Sequence, residues 1–271
     1  RIEVMCRLYG VTRSGIYAWH KRTPSIRQKN DEMLTEQIKL LHKDSRETYG
    51  SPRLHQALRQ NGTRVGVKRV ARLMRQSSLL ARSAGIYRRR PGTKEFFYRL
   101  ANQTLDVKAN ACNRVWVGDV TYLKVREGWR YCAVVMDRYS RRIIGWALSK
   151  RRDVALTLKA FNRAVRARRP EPGLIFHSDR GIEYASFMFR KRLTQIGVIQ
   201  SMNRPQSLND NAFMESFFHS LKSDIYHGIP LETETQMSLR LKNYFQFYNQ
   251  QRLHSALAYQ TPVQYEAIAV C

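Results

Sequence analysis

An eleven-residue apolar segment, Val115–Val125, is the feature that most limits how this chain can fold, and an aspartate, Asp119, interrupts it. Two further apolar runs follow after short turn-like connections, at Tyr131–Asp137 and Ile143–Leu148. Apolar runs of this length, separated by turn residues, are typical of neighbouring antiparallel strands. The spacing therefore predicts a three-stranded meander with a carboxylate inside its first strand.

The segments after the meander alternate between helical and strand patterns. Leu158, Phe161 and Ala164 recur at helical spacing, and a short buried strand at 174–177 follows them. A helix at about 184–196 and a strand at 198–200 come next, and the rest of the chain has a helical pattern. This order predicts an α/β fold, a mixed five-stranded sheet with flanking helices.

Three acidic residues occupy positions where a carboxylate needs a partner. Asp119 lies within a strand, Asp179 closes the strand that begins near Leu174, and Glu215 lies in a helical stretch rich in phenylalanine. A carboxylate is seldom buried unless it is paired or binds metal. Hard oxygen ligands suit Mg²⁺ or Mn²⁺, and two such ions together serve phosphoryl displacement. We therefore predict that Asp119, Asp179 and Glu215 are the catalytic residues and the ligands of two divalent ions.

Each acid also has a plain structural interpretation. In this interpretation, Asp119 is a hydrogen-bonded core residue, Asp179 organises a turn, and Glu215 forms an ion pair with an arginine. Asp137 is the main rival of the three, but it precedes a turn and is interpreted as structural. Two histidines, His177 and His254, are candidates for proton transfer, although lone histidines more often serve packing or hydrogen bonding. Asp210 is interpreted as a helix cap.

The composition points to a polyanionic partner. The chain has 271 residues and a formal net charge of +27, from 48 Lys and Arg against 21 Asp and Glu. Such a charge favours nucleic acid, and because no apolar run is long enough to cross a membrane, a membrane partner is not expected. The four cysteines are scattered, which predicts neither a disulfide framework nor a cysteine zinc site, and a reduced cytoplasmic setting fits.

The basic residues concentrate towards the front of the chain, where residues 51–100 hold 13 Lys and Arg and one Glu. We predict a partial helix-turn-helix at 1–24, a basic helical DNA-binding domain at 25–80 and a basic linker at 81–112. The catalytic core is assigned to 113–230 and a C-terminal helical extension to 231–271. Lys68, Arg72 and Arg75 form a stripe at helical spacing, which suits a helix laid in a DNA groove or an ordinary solvated face.

The candidate DNA contacts lie in both halves of the chain. In the helix of Glu215, Asn211 and Lys222 share a polar stripe with the glutamate, and Lys222 is placed to hold a phosphate. Its alternative is a solvated lysine. The full set of predicted DNA-binding residues is Arg53, Lys68, Arg69, Arg72, Arg75, Arg88, Arg89, Arg90, Asn211 and Lys222.

Five stretches of sequence resemble the integrase-core transposases of bacterial insertion sequences, and in particular the second-frame protein of the insertion-sequence-three family. The stretches are Tyr49–Arg53, Trp116–Tyr122, His177–Gly181, Asp210–Lys222 and Tyr248–Leu257. The resemblance implies a ribonuclease-H-like core, the triad Asp119, Asp179 and Glu215, and a conventional basic residue at Lys222. It also implies an upstream frame, which agrees with a chain that opens on Arg1 and is expected to be the tail of a longer product.

The sequence thus predicts a Mg²⁺-dependent DNA transposase that cleaves and joins strands at terminal inverted repeats. Double-stranded DNA is the expected partner, and the joining of two ends implies at least a dimer. An aromatic stripe is a candidate packing face between copies, although we favour it as core: Leu241, Tyr244, Phe245 and Tyr248. The expected location is the bacterial cytoplasm, at the nucleoid. The alternatives are a structure-specific nuclease and an inactive DNA-binding regulator.

Overall fold

The computed structural model describes residues 2–81, 107, 109–203, 211–226 and 230–269, which form two compact units divided after Leu80. The first unit contains five helices: α1 (Ile2–Leu8), α2 (Arg13–Lys21), α3 (Ile26–Asp44), α4 (Ser51–Gln60) and α5 (Val67–Gln76). The second unit contains the sheet, the remaining helices and the acidic residues of interest.

The first unit begins with two helices around a glycine turn, as the sequence predicts. Gly10 has a φ of +63°, which a residue without a Cβ adopts at low cost. Thr12 caps α2 by accepting a hydrogen bond from the backbone N–H of Gly15 at 3.1 Å. The next three helices share a core that includes Leu34, Leu54 and Val70. The predicted stripe of Lys68, Arg72 and Arg75 lies on α5, which buries Val70, Leu73 and Met74.

The second unit is built on five strands: β1 (Val115–Val125), β2 (Gly128–Asp137), β3 (Ile143–Ser149), β4 (Ile175–Ser178) and β5 (Ile199–Met202). Their order across the sheet is β3-β2-β1-β4-β5. The first three strands pair antiparallel, whereas β4 pairs parallel with both β1 and β5. The α/β fold class predicted from the sequence, a ribonuclease-H-like mixed sheet with flanking helices behind an all-α region, is confirmed.

Helices cover both faces of this sheet. They are α6 (Val154–Arg168), α7 (Ile182–Ala185), α8 (Phe187–Gln195), α9 (Ala212–Tyr226), α10 (Glu234–Gln250) and α11 (Pro262–Ile268). One core lies beneath α6 and α8 and contains Trp116, Phe161 and Phe176. The other lies beneath α9 and α10. The aromatic stripe of α10 belongs to that second core, because Leu241, Tyr244, Phe245 and Tyr248 are all buried.

One predicted feature differs from the structure. The single helix expected at about 184–196 is divided at Ser186, whose hydroxyl accepts a hydrogen bond from Phe189 N–H and so starts α8 anew. The sequence indicates no disulfide framework, and Cys112 alone among the described cysteines is disulfide-bonded. Cys6 and Cys132 are free and buried.

Within the described residues, no helix combines the length and apolar character needed to cross a membrane.

Candidate active site

Asp119 and Asp179 are placed side by side by the parallel pairing of β1 and β4. Gly118 and Ser178 are the last residues in register on these strands, so each aspartate is the next residue along its own strand. Neighbouring strands run about 4.8 Å apart. The end of the pairing holds the two carboxylates where β4 ends and where, among the described residues, β1 continues without a partner strand on that side.

The ring of Phe176 packs against β1 at Gly118 and fixes this register. A Cβ on Gly118 would lie 2.4 Å from the ring Cζ of Phe176, so only glycine leaves room for the ring against β1. The ring itself is fully buried. The residue before the first aspartate is therefore small because a neighbouring strand packs an aromatic ring there.

The electrostatics of Asp119 show how near the other acids lie. Burial raises the pKa of Asp119 well above its ordinary value, and the negative charges of Asp179 and Glu215 raise it further. A hydrogen bond from Val120 N–H and the charge of Arg152 lower that pKa in part. The charge of Asp179 has a larger effect than that of Glu215, so the two aspartates form the closer pair.

Glu215 lies in the first turn of α9, half-buried beside this pair. Its helix is anchored by buried Met214, Phe217 and Leu221. Among the described residues, no three His, Cys, Asp or Glu side chains already stand at metal-ligating spacing. The structure thus brings Asp119 and Asp179 together and places Glu215 next to them without closing the triad. The three carboxylates have the donor chemistry that Mg²⁺ or Mn²⁺ prefers, and their mutual repulsion is what a bound cation relieves.

A fourth carboxylate and an arginine belong to the same site. Arg152 donates through Nε to Oε1 of Glu183 at 2.8 Å, and its Nη2 lies 3.9 Å from Oδ2 of Asp179. Glu183 is buried, and after burial itself its charge is the largest influence raising the pKa of Asp179. Arg152 therefore supplies the positive charge beside this group of acids.

Gly181 makes the close approach of these acids possible. A Cβ at this position would lie 2.8 Å from the carboxylate of Glu183 and 3.0 Å from Oδ1 of Asp179. The Gly181 N–H also donates to Oδ1 of Asp179 at 3.1 Å. The sequence alone does not reveal Glu183 and Arg152 as site residues, because they are 31 residues apart and lie outside the predicted strands.

Lys222 lies two turns after Glu215 on α9, and it is half-buried rather than fully solvated. Its Nζ lies 4.0 Å from the centroid of the Tyr122 ring. Burial lowers the pKa of Lys222, and the charge of Asp119 acts in the opposite direction. The lysine predicted to bind phosphate is thus held within electrostatic reach of Asp119.

Asn211, which was predicted to bind DNA, is buried at 3% exposure. Neither its side-chain nitrogen nor its oxygen has a hydrogen-bond partner in the described part of the chain. A buried amide without partners costs free energy, so this side chain gains from any rearrangement that pairs it.

The basic residues of α5 divide into two groups. Arg69 and Arg72 bind the carboxylate of Asp31 at 2.7 Å and 2.6 Å, and these hydrogen bonds lower the pKa of that acid. Lys68 and Arg75 are exposed, and Arg53 on α4 is half-exposed. The predicted contacts Arg88, Arg89 and Arg90, like Asp210, lie outside the described residues.

The remaining polar candidates are structural. His177 is buried, with Nδ1 at 2.8 Å from Ser201 Oγ and Nε2 at 2.8 Å from Asn203 Oδ1. Asp137 accepts hydrogen bonds from the backbone N–H groups of Asn113, Tyr139 and Ser140. His254 packs edge-on against Tyr248. These contacts agree with the structural interpretation of Asp137 and with a hydrogen-bonding role for His177 and a packing role for His254.

Comparison with known proteins shows the family of the chain. Integrase core domain families match residues 109–207 and 215–269, and an HTH-like domain family matches residues 28–90. The chain is 36% identical to the transposase of insertion sequence element IS904 from Lactococcus lactis, over 90% of this chain and 98% of that one. The chain belongs to the integrase-core transposases of bacterial insertion sequences.

Two further similarities accompany these matches. The chain is 38% identical to the insertion element IS600 uncharacterized 31 kDa protein of Shigella sonnei, covering 96% of this chain and 97% of that one. The HTLV-2 integrase catalytic core domain, solved in complex with magnesium, covers 58% of this transposase and 97% of its own length, with a TM-score of 0.44 and 18% identity. The integrase core families and the transposase relative show that the chain is a polynucleotidyl transferase.

Proposed function

We propose that this transposase cleaves a DNA strand at the terminal inverted repeats of its element and joins the freed 3′-hydroxyl to a second phosphodiester. Asp119, Asp179 and Glu215 are the proposed ligands of two Mg²⁺ or Mn²⁺ ions. When bound, the ions activate the attacking oxygen and stabilise the leaving oxygen of an in-line displacement. The observation that carries the proposal is that Asp119 and Asp179 directly follow Gly118 and Ser178, the last registered pair of β1 and β4, so that the charge of Asp179 raises the pKa of Asp119.

The chain's own groups then have distinct tasks. Asp119 and Asp179 are held on a rigid sheet, and Arg152 and Glu183 fix the orientation of Asp179. Lys222 holds a DNA phosphate on the open edge of β1. The exposed Lys68 and Arg75 contact the backbone of double-stranded DNA.

Glu215 completes the triad through a small movement of the first turn of α9. Asn211 lies in the turn that precedes it, and its unpaired buried amide costs about 1–3 kcal/mol. A shift that lets this amide reach DNA recovers that free energy and moves Glu215 in the same step. Because two element ends are joined, the working form is at least a dimer, and it acts on DNA at the nucleoid.

The test is a labelled element end incubated with the protein and Mg²⁺, comparing the native chain with Asp119→Asn. We expect the native chain to give nicked and branched products. The variant should bind the DNA with unchanged affinity and lose at least about a hundredfold in cleavage rate, since it keeps the shape of the side chain and removes its charge. Nicks without branched products would indicate a nuclease, and binding without any product a regulator. Cleavage that survives the substitution would overturn the catalytic assignment.

A further inference from the structure

An aromatic surface lies on the hairpin of β1 and β2, close to the catalytic aspartates. Tyr122 pairs with Tyr131, and Lys124 pairs with Trp129. Directly paired residues point to the same face of a sheet, and so do residues two apart, so these four side chains share one face. The rings of Tyr122 and Trp129 meet edge to face at 5.2 Å, and Trp129 remains 51% exposed. We call Tyr122, Trp129 and Tyr131 the hairpin aromatic face.

This face meets the proposed active site at the edge of β1. The pairing of β1 with β4 stops at Gly118, so from Asp119 onward β1 has no strand on that side within the described residues. Tyr122 is three residues beyond Asp119, about 10 Å along an extended strand, and the alternation of side chains places it on the opposite face of β1. Lys222 links the two faces at this edge, because its Nζ lies 4.0 Å from the Tyr122 centroid and the charge of Asp119 opposes the lowering of its pKa by burial. A DNA strand that leaves Asp119 around the edge of β1 therefore reaches the rings within a few nucleotides.

The charges around the rings favour a polyanion. The Nζ of Lys222 lies 4.0 Å from the Tyr122 centroid, and the Nζ of Lys124 lies 5.0 Å from the Trp129 centroid. The nearby acids are directed elsewhere. The carboxylate of Glu127 accepts from the backbone N–H of Glu234, and the carboxylate of Glu234 accepts from Arg130 at 2.7 Å.

Aromatic rings combined with mobile cations match single-stranded nucleic acid. Bases within a duplex stack on each other, whereas an unpaired base offers its own ring face to a protein aromatic side chain. Lysine ammonium groups hold the flanking phosphates without reading the sequence. We propose that the hairpin aromatic face stacks unpaired nucleobases of the strand whose phosphodiester lies at Asp119.

This inference rests on the proposed function, because it needs a DNA strand at Asp119. It adds a binding site for the bases next to the cleavage point, which a site built from carboxylates and phosphate contacts alone does not contain. Opening of the terminal base pairs is then stabilised by stacking on Trp129.

The experiment measures binding rather than catalysis. The probes are two element-end oligonucleotides, one fully paired and one with unpaired terminal nucleotides that carry the fluorescent base 2-aminopurine. Stacking on an indole ring quenches this base. We expect the native chain to quench the unpaired probe, and Trp129→Leu to abolish most of the quenching. The variant should also weaken binding of the unpaired probe by about five- to a hundredfold, with less than about a twofold change for the duplex.

Two substitutions serve as controls. Trp129→Phe retains a ring and should keep most of the affinity. Phe187→Leu removes another exposed aromatic side chain, 70% exposed on α8, and should change neither probe. Circular dichroism and thermal unfolding check that each variant folds, which is expected because both side chains are exposed.

The outcomes separate this inference from the proposed function. Unchanged quenching and affinity in Trp129→Leu would overturn the stacking face, whatever the protein's activity. A change in oligomeric state of that variant, with quenching retained, would identify the face as a contact between copies and also overturn it. Quenching by Asp119→Asn is expected, because stacking needs no cleavage. If the native chain quenches the probe but never cleaves DNA, the stacking proposal is retained and the proposed function is wrong.

Discussion

At the scale of single residues, the site is a balance of half-buried like charges. Asp179 raises the pKa of Asp119, Glu183 raises the pKa of Asp179, and Arg152 offsets only part of both effects. Enzyme sites often keep such strain because the substrate or its metal relieves it. The ionised acids therefore destabilise the folded protein when no metal or substrate is bound.

This balance predicts a pH-dependent effect of Asp119→Asn on stability. The folded-state pKa of Asp119 is raised, so its protonated form suits the fold, and stability is lost as the pH rises through that pKa. The asparagine variant should therefore be more stable than the native chain at neutral pH, and its advantage should shrink as the pH falls towards 4. Urea denaturation followed by circular dichroism at both pH values measures the difference.

Asp31→Asn is the control for this prediction, because the sign is reversed. Hydrogen bonds from Arg72 and Arg69 lower the pKa of Asp31, so its contribution to stability is present above its unfolded pKa and is lost in acid. The control should be less stable than the native chain at neutral pH. An Asp119→Asn variant less stable than the native chain at neutral pH would show that Asp119 is not held under repulsion.

The residues of the site were predicted unequally well from sequence. Asp119 and Asp179 could be found because a charge inside or at the end of an apolar strand is a local signal. Glu183 and Arg152 gave no such signal, since their role depends on the loop after β3 meeting the start of α7. Arg69 and Arg72 are predicted DNA contacts because they lie on the basic helix α5. Both bind Asp31 on α3, a contact between distant segments that the spacing within α5 does not reveal.

At the scale of elements, the register of β1 against β4 decides where Asp119 and Asp179 lie. The strands, α5 and the helical pattern after β3 were predictable because alternation and helical spacing are properties of short segments. The break between α7 and α8 was missed, although Ser186 is a good helix cap, because the apolar spacing continues across it. The parallel pairing of β4 between β1 and β5 is a long-range contact that no single segment encodes.

The contact of Gly118 with Phe176 tests this role of the register. Gly118→Ala places a Cβ within 2.4 Å of the Phe176 ring, so the strands must separate. We expect the free energy of unfolding to fall by about 1–3 kcal/mol and DNA cleavage to fall with it. Urea denaturation and the cleavage assay measure the two effects.

A second substitution identifies the cause. Phe176→Leu makes room for the methyl group that Gly118→Ala adds. The free energy of unfolding of the double variant should therefore exceed the value expected by adding the effects of the two single substitutions. Gly66→Ala, where a Cβ meets nothing within 4 Å, should change stability by less than about 0.5 kcal/mol. Strict additivity would show that the ring does not limit the approach of β1 and β4.

At the scale of the whole molecule, a charge of +27 dominates encounter with DNA. Not all of the basic side chains are available to bind DNA, because some already bind carboxylates within the protein. Arg142 and Arg168 share Glu266, and Arg252 is buried with Asp224. The cations that remain exposed therefore set the strength of phosphate binding, and Lys68 and Arg75 on α5 are among them.

The salt dependence of DNA binding distinguishes exposed basic side chains from those that already bind a carboxylate within the protein. Each phosphate neutralised by the protein adds about 0.9 to the slope of log affinity against log salt concentration. We expect a steep slope for the native chain between about 50 and 200 mM salt, measured by fluorescence anisotropy on duplex DNA. Lys68→Ala and Arg75→Ala should each reduce the slope by about 1, with no loss of stability. Arg72→Ala should reduce the slope by less and destabilise the fold, because Arg72 is held by Asp31 at 2.6 Å. If all three substitutions reduce the slope equally, Arg72 leaves Asp31 when DNA binds; if none does, α5 does not face DNA.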